Sequence, residues 1–244
     1  MAIRERVQRE EIAVRMNGGT VSGTLALPVG AYGLVLVVSE GASDYLTDEL
    51  TRTLNRVAIG ALITDLLTSE ERADLHAGSS ARSNVELLGR RLAETTDWLA
   101  STPATADLRL GYFGTGVASA AVLAAAAQRP ALASAVVLCD GRPLLAAPAL
   151  PQVRSPTLLI TATPDVALAR LNLAGFRHLL CAKQIEILPN PNGAAAYPAT
   201  FQSAIRLARE WFERYLVVLP PERPPDTIRA QGHAHPVHEV SLVR

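Results

Sequence analysis

Apolar and polar positions along the chain follow two periods, and the switches between them mark out the elements. Residues 11–16 alternate polar and apolar, Asn17-Gly18-Gly19 supplies turn residues, and residues 20–27 alternate again, which predicts an antiparallel hairpin. Pro28 and Gly30 end it. Residues 34–38, 61–64, 135–138 and 157–160 are short apolar runs rich in β-branched residues, as expected of strands buried on both faces. Between and after them, residues 47–55, 84–99, 167–180 and 201–215 carry helical spacing. Residues 108–110 form a short strand that leads into a glycine-rich turn, and residues 184–188 read as a further strand. The segment after that turn, through Ala127, is apolar all round and predicts a buried helix. Residues 75–83 are small and polar and read as a mobile loop.

Strand–helix alternation of this kind predicts an α/β fold with a mostly parallel central sheet and helices on both faces, preceded by the hairpin. At 244 residues the chain can bury a sizeable core. Formal net charge is zero, which argues against a nucleic-acid binder. Lys183 is the only lysine among the basic residues. Cys139 and Cys181 sit in apolar contexts and read as buried reduced thiols, which fits a cytoplasmic location. The start of the chain lacks the apolar core of a signal peptide. No run approaches the ~18 uninterrupted apolar residues of a membrane span. From Leu219 the composition changes: Pro220, Pro221, Pro224 and Pro225 make a stiff linker, and the last residues of the run 233–243 alternate like a strand. We divide the chain into a domain over residues 1–218 and a tail over 219–244. The tail reads either as a frayed terminus or as an arm that adds a strand to a sheet edge, its own or a partner's.

The turn is Gly111-Tyr112-Phe113-Gly114-Thr115-Gly116-Val117-Ala118. Further segments are Thr64-Asp65-Leu66-Leu67-Thr68 followed by Glu70-Glu71, Gly141-Arg142-Pro143, Pro156-Thr157-Leu158-Leu159-Ile160 and Trp211-Phe212. In order and spacing they resemble the dienelactone-hydrolase-like branch of the α/β-hydrolases, in particular the hydrolase portion fused to phosphoribosyltransferase domains. The resemblance covers residues 21–216. It implies an α/β-hydrolase fold and an acyl-transfer triad in which a G-x-S-x-G turn lifts a serine above the sheet. Carried over by position, the nucleophile falls on Gly116, the acid on Asp165 and the histidine on or beside Gly193. The family's oxyanion segment falls on Ser39-Glu40. Only Asp165 keeps the expected chemistry. Glycine has no atom with which to attack a carbonyl, and a serine would need an imidazole to take its proton. The Val117 N–H, one residue past the nucleophile position, is the remaining oxyanion donor. A carboxylate at Glu40 would oppose an oxyanion.

No substitute nucleophile stands out. Ser119 lies one turn into the apolar helix and reads as packed. Ser39 and Ser43 have no assignable base, and Cys139 has nothing to depress its pKa. His76 lies in the polar loop, and His178 near a helix C-terminus, a routine place for a cation. His233, His235 and His238 form an imidazole cluster, but a proline-flanked tail gives no preorganisation and no cysteine lies nearby, so we assign neither metal nor cofactor. Asp165 itself suits an N-cap. These residues predict a non-catalytic protein that works by binding, as a scaffold or assembly subunit whose partner is another protein or, through the tail, a second copy. Two alternatives remain: a weak or altered ester or dienelactone-type hydrolase, and a small-molecule sensor. The sensor would keep the old pocket at the carboxyl ends of the strands, lined by Ser39, Glu40, Thr115, Val117 and Asn192.

Overall fold

The computed structural model describes residues 7–16, 19–38, 45–66, 81–189 and 197–217. Strands β1 (Val7–Met16) and β2 (Gly19–Pro28) form the expected hairpin, with Met16 opposite Gly19. Then follow β3 (Gly33–Val38), α1 (Tyr45–Asn55), β4 (Ile59–Asp65), α2 (Ala81–Ser101), β5 (Arg109–Thr115) and α3 (Ala118–Gln128). The chain continues through β6 (Ala133–Cys139), 3-10 turns at Pro143–Ala146 and Leu150–Gln152, β7 (Thr157–Thr161), α4 (Val166–His178), β8 (Lys183–Ile187) and α5 (Tyr197–Leu216). The eight strands lie in the order β1-β2-β4-β3-β5-β6-β7-β8. Only β2 runs against its inner neighbour β4; β3 to β8 are parallel.

Two expectations need adjustment. Residues 81–83 belong to α2 rather than to a polar loop, because Ala81 and Arg82 are strong helix formers; residues 75–80 lie outside the described residues. Cys181 is only half-buried, since it lies in the turn between α4 and β8 at the sheet edge; Cys139 is buried, and neither forms a disulfide. The tail from Leu219 lies outside the described residues.

Alternation along the central strands splits the core into two layers. On one face Leu34, Leu36, Leu110, Tyr112 and Leu138 pack against α2 and α3; on the other Val35, Val37, Phe113 and Val137 pack against α1 and α5. Helix α3 is sandwiched between sheet and α2, so it is apolar on all sides and rich in alanine. Its closeness to α2 shows at Gly89, where a Cβ would stand 2.8 Å from Ala124 Cβ. Outside this contact Arg129 grips Asp97 with two 2.7 Å hydrogen bonds. Lys183 donates to the Phe176 and Leu179 carbonyls at the end of α4 and lies over the Phe176 ring, so the lone lysine acts as a helix cap.

The glycines of the β5 segment serve packing. A Cβ on Gly111 would come within 2.8 Å of the Phe212 ring on α5, and one on Gly114 within 2.8 Å of Ser119 Cα on α3. Between them Tyr112 is fully buried, with Oη 2.7 Å from Thr96 Oγ1. Thr96 gives its one hydrogen to Leu92 O, so the tyrosine is the donor to Thr96. Burial pushes the Tyr112 phenol up to about 12.

Two predictions follow from this layer. Gly114→Ala forces Cβ onto helix backbone and is expected to destabilise the fold by ~1–3 kcal/mol in denaturant unfolding; a variant as stable as wild type would contradict the close approach. The Tyr112 contribution is whole below pH ~10, the unfolded value, and is lost as pH rises through the folded one. Alkaline unfolding should therefore accompany the last phenolate signal to appear, and Tyr112→Phe should move that unfolding to higher pH. Ionisation of all the tyrosines together, with the fold intact, would refute it.

Candidate functional site

The sequence places its best candidate at the carboxyl end of β5, in the centre of the sheet between β3 and β6. There the chain must leave a strand and enter a helix with almost no linker. Thr115 is the last strand residue, opposite Cys139, and Val117 already has helical angles (φ −68°, ψ −33°). Gly116 makes the whole turn, with φ +50°, in the left-handed region that side-chain-bearing residues rarely adopt. This is the strained corner expected at the tip of a strand–turn–helix elbow. Its tip carries no side chain.

Hydrogen bonds hold the corner. Ser119 Oγ donates to the Gly116 carbonyl at 2.6 Å and accepts from the Arg142 N–H at 2.8 Å. That same N–H also reaches the Gly116 carbonyl at 3.1 Å. Ser119 is fully buried and its proton is committed, so it is a rivet between β5, α3 and the segment after β6. Gly141 is part of the same joint, since a Cβ there would stand 2.7 Å from Ser119 Oγ. Thr115 and Val117 flank Gly116 and are half-buried.

Asp165 is exposed, and its Oδ1 accepts from the Ala167 and Leu168 N–H groups at 2.8 and 3.0 Å. It is the N-cap of α4. Sequence reasoning passed over a different carboxylate. Asp140 directly follows β6, next to the elbow, with φ +48°. Its Oδ1 accepts from the Ala162 and Thr163 N–H groups and from Thr163 Oγ1, at 2.8, 3.1 and 3.2 Å. It clips the β7–α4 connection to the end of β6. The available signal was Asp140-Gly141, a turn dipeptide at a strand end.

Ser39, Glu40, Asn192 and Gly193 lie outside the described residues, as do Ser43, His76, His233, His235 and His238. His178 is the described histidine, exposed at the far end of α4 from the elbow. Among the described residues, no imidazole therefore stands beside Gly116, and no three His, Cys, Asp or Glu side chains gather as metal ligands. A cavity of about 430 Å³ lies at the opposite end of the sheet, lined by Leu108, Arg109, Leu132, Ser134, Pro156 and Tyr215. It is remote from the elbow. No helix among the described residues is long and apolar enough to cross a membrane.

No protein-family model matches the chain. A dienelactone hydrolase from Anabaena variabilis is 34% identical in sequence and superposes with a TM-score of 0.80, covering 86% of this chain and 99% of that one. A cold-adapted esterase from an Arctic intertidal metagenomic library has a TM-score of 0.66 at 18% identity, over 86% of this chain and 95% of that one, and shows the shared fold alone. A provisionally named phosphoribosyl transferase of Mycobacterium tuberculosis, matched in two strains, is 35% identical over 214 residues. That match takes in 85% of this chain and 46% of the relative, so the chain spans less than half of the relative's length.

Asp165→Ala removes two capping bonds and should lower stability by ~0.5–2 kcal/mol in denaturant unfolding, with Asp165→Asn or Asp165→Ser recovering most of the loss. No recovery with either capping residue would show that the carboxylate does something other than cap α4. The strand order, the left-handed corner at the end of β5 and a relative matched along almost its whole length place this chain in the dienelactone hydrolase family of α/β-hydrolase-fold proteins.

Proposed function

We propose that this chain is a non-catalytic member of its family, a protein that binds and assembles instead of hydrolysing esters. The observation that carries the reading is Gly116, a residue without a side chain at the left-handed tip of an otherwise well-built elbow. A fold does not carry an activity with it; the site does. A triad without its nucleophile retains at most the stabilisation offered by oxyanion donors and binding. The sequence adds two losses, Gly193 at the histidine position and Glu40 in the oxyanion segment. Asp165, the one triad position with a matching residue type, is accounted for as a helix cap. That the family module makes up less than half of the mycobacterial relative fits a unit that works beside another protein segment.

The competing reading, a weak or altered ester hydrolase, draws on the same elbow. The corner is intact, and Val117 still follows the nucleophile position at the start of α3. The decisive experiment compares turnover of short p-nitrophenyl esters by wild type and by a Gly116→Ser, Gly193→His double variant, with fluorophosphonate labelling of both. The expected result is no wild-type turnover and no wild-type label, with measurable gain of either in the variant. Stoichiometric labelling of wild type, or turnover that survives Asp165→Ala, would overturn the non-catalytic reading.

A further inference from the structure

We infer that the chain pairs with a second copy of itself along the free edge of β1, the two strands running antiparallel about a dyad at Ala13; this rests on the binding reading above. Strand β1 ends the sheet order, and its ten residues pair with β2 in an unbroken register from Val7–Pro28 to Met16–Gly19. Alternate N–H and C=O groups of β1 therefore point away from β2, and among the described residues no strand meets them. A long strand edge without proline or bulge is a template for another strand.

Edge strands are often protected by charge, and β1 is charged, but its charges are arranged to attract a copy of themselves. Arg9, Glu11, Ala13 and Arg15 share one face and are exposed, while Gln8, Glu10, Ile12, Val14 and Met16 share the other; there Gln8 and Glu10 are exposed, Val14 is buried, and Ile12 and Met16 pack against the core under α2. Glu11 is already oriented by a 2.8 Å hydrogen bond from Thr24 Oγ1 on β2. A two-fold dyad at a given residue sets the positions on either side of it opposite one another. About Ala13, Glu11 faces Arg15 and Ile12 faces Val14, and symmetry makes each pair twice. The neighbouring registers are worse. A dyad at Glu10 or Glu11 brings two identical carboxylates together, one at Ile12 opposes Arg9 to Arg15, and one at Val14 opposes Arg15 to Ala13. This register pairs opposite charges on the outer face and Ile12 with Val14 on the inner face, with Glu10 set opposite Met16 beyond them. The interface is isologous and extends the sheet across the dyad.

The opposite edge lacks this property. Strand β8 is five residues long, and a dyad at Ile185 sets Lys183 against Ile187 and Gln184 against Glu186, with no opposite charges paired. The exposed Ile187 beside it therefore serves as a control.

Sedimentation velocity or light scattering over a concentration series tests the interface. Wild type should dimerise. Arg15→Glu and Glu11→Arg should each weaken association at least about tenfold, since each replaces two attractive cross-strand pairs with repulsive ones. The double swap Glu11→Arg, Arg15→Glu should restore it, which simple misfolding of the single variants cannot mimic. Ile187→Lys and truncation after Val218 should leave the dimer unchanged. A monomeric wild type, single variants that associate like wild type, or loss of the dimer in either control would overturn the proposal. Ester turnover measured on the same samples keeps the two readings apart: activity in an intact dimer sinks the non-catalytic reading alone, and an inactive monomer sinks the interface alone.

Discussion

Three backbone segments must come together at the carboxyl end of β5, and much of the structure around the candidate site follows from that approach. The strand has to turn straight into α3, so Gly116 adopts φ +50° and Gly114 leaves room for Ser119 Cα. The segment after β6 has to close over the turn, so Gly141 leaves room for the Ser119 side chain, and the Arg142 N–H completes the hydrogen bonds. Pro143, next along, packs on Gly175 of α4. Asp140 ties the end of β7 to the same point. The joint is a small, closed set of backbone groups fixed by one buried hydroxyl, and it needs no catalytic residue to be stable.

Such a joint keeps its shape whether or not a nucleophile stands at its tip. In a G-x-S-x-G elbow the nucleophile sits in a left-handed conformation that costs a side-chain-bearing residue about 1–3 kcal/mol, which is tolerated because function requires it. Glycine removes that strain and keeps the turn. The nearby glycines, Gly114 and Gly141, answer to packing. Asp165 likewise has a structural role, with two capping bonds at the start of α4.

The alternation of apolar runs made the fold legible, because buried parallel strands have few other ways to look. The motif segments were legible for a less obvious reason. Gly111 and Phe212, far apart in sequence, meet directly, and the Gly141-Arg142 backbone closes on Gly116 and Ser119. What the sequence pattern carried was a set of interlocking contacts, hence its success for architecture. Less visible were features set by geometry at strand ends. Asp140 has the composition of an ordinary turn residue, and only the backbone shows that its carboxylate gathers three donors. The start of α2 is hidden because Ala81 and Arg82, good helix formers, follow directly on a small, polar run in sequence.

The two sheet edges show how the same physics bears on assembly. The centre of the sheet is insulated by helices on both faces, so any extension must happen at β1 or β8. Strand β8 is short, with Lys183 drawn back to cap α4, and its outward groups offer no symmetric charge match. Strand β1 is twice as long, regularly paired on one side, and carries opposite charges flanking a small residue. Ala13 matters as much as the charges. At the dyad its methyl meets its own symmetry copy, and a longer or charged side chain there would hold the strands apart or repel. Of the two margins of the sheet, the one with a self-complementary charge pattern is β1.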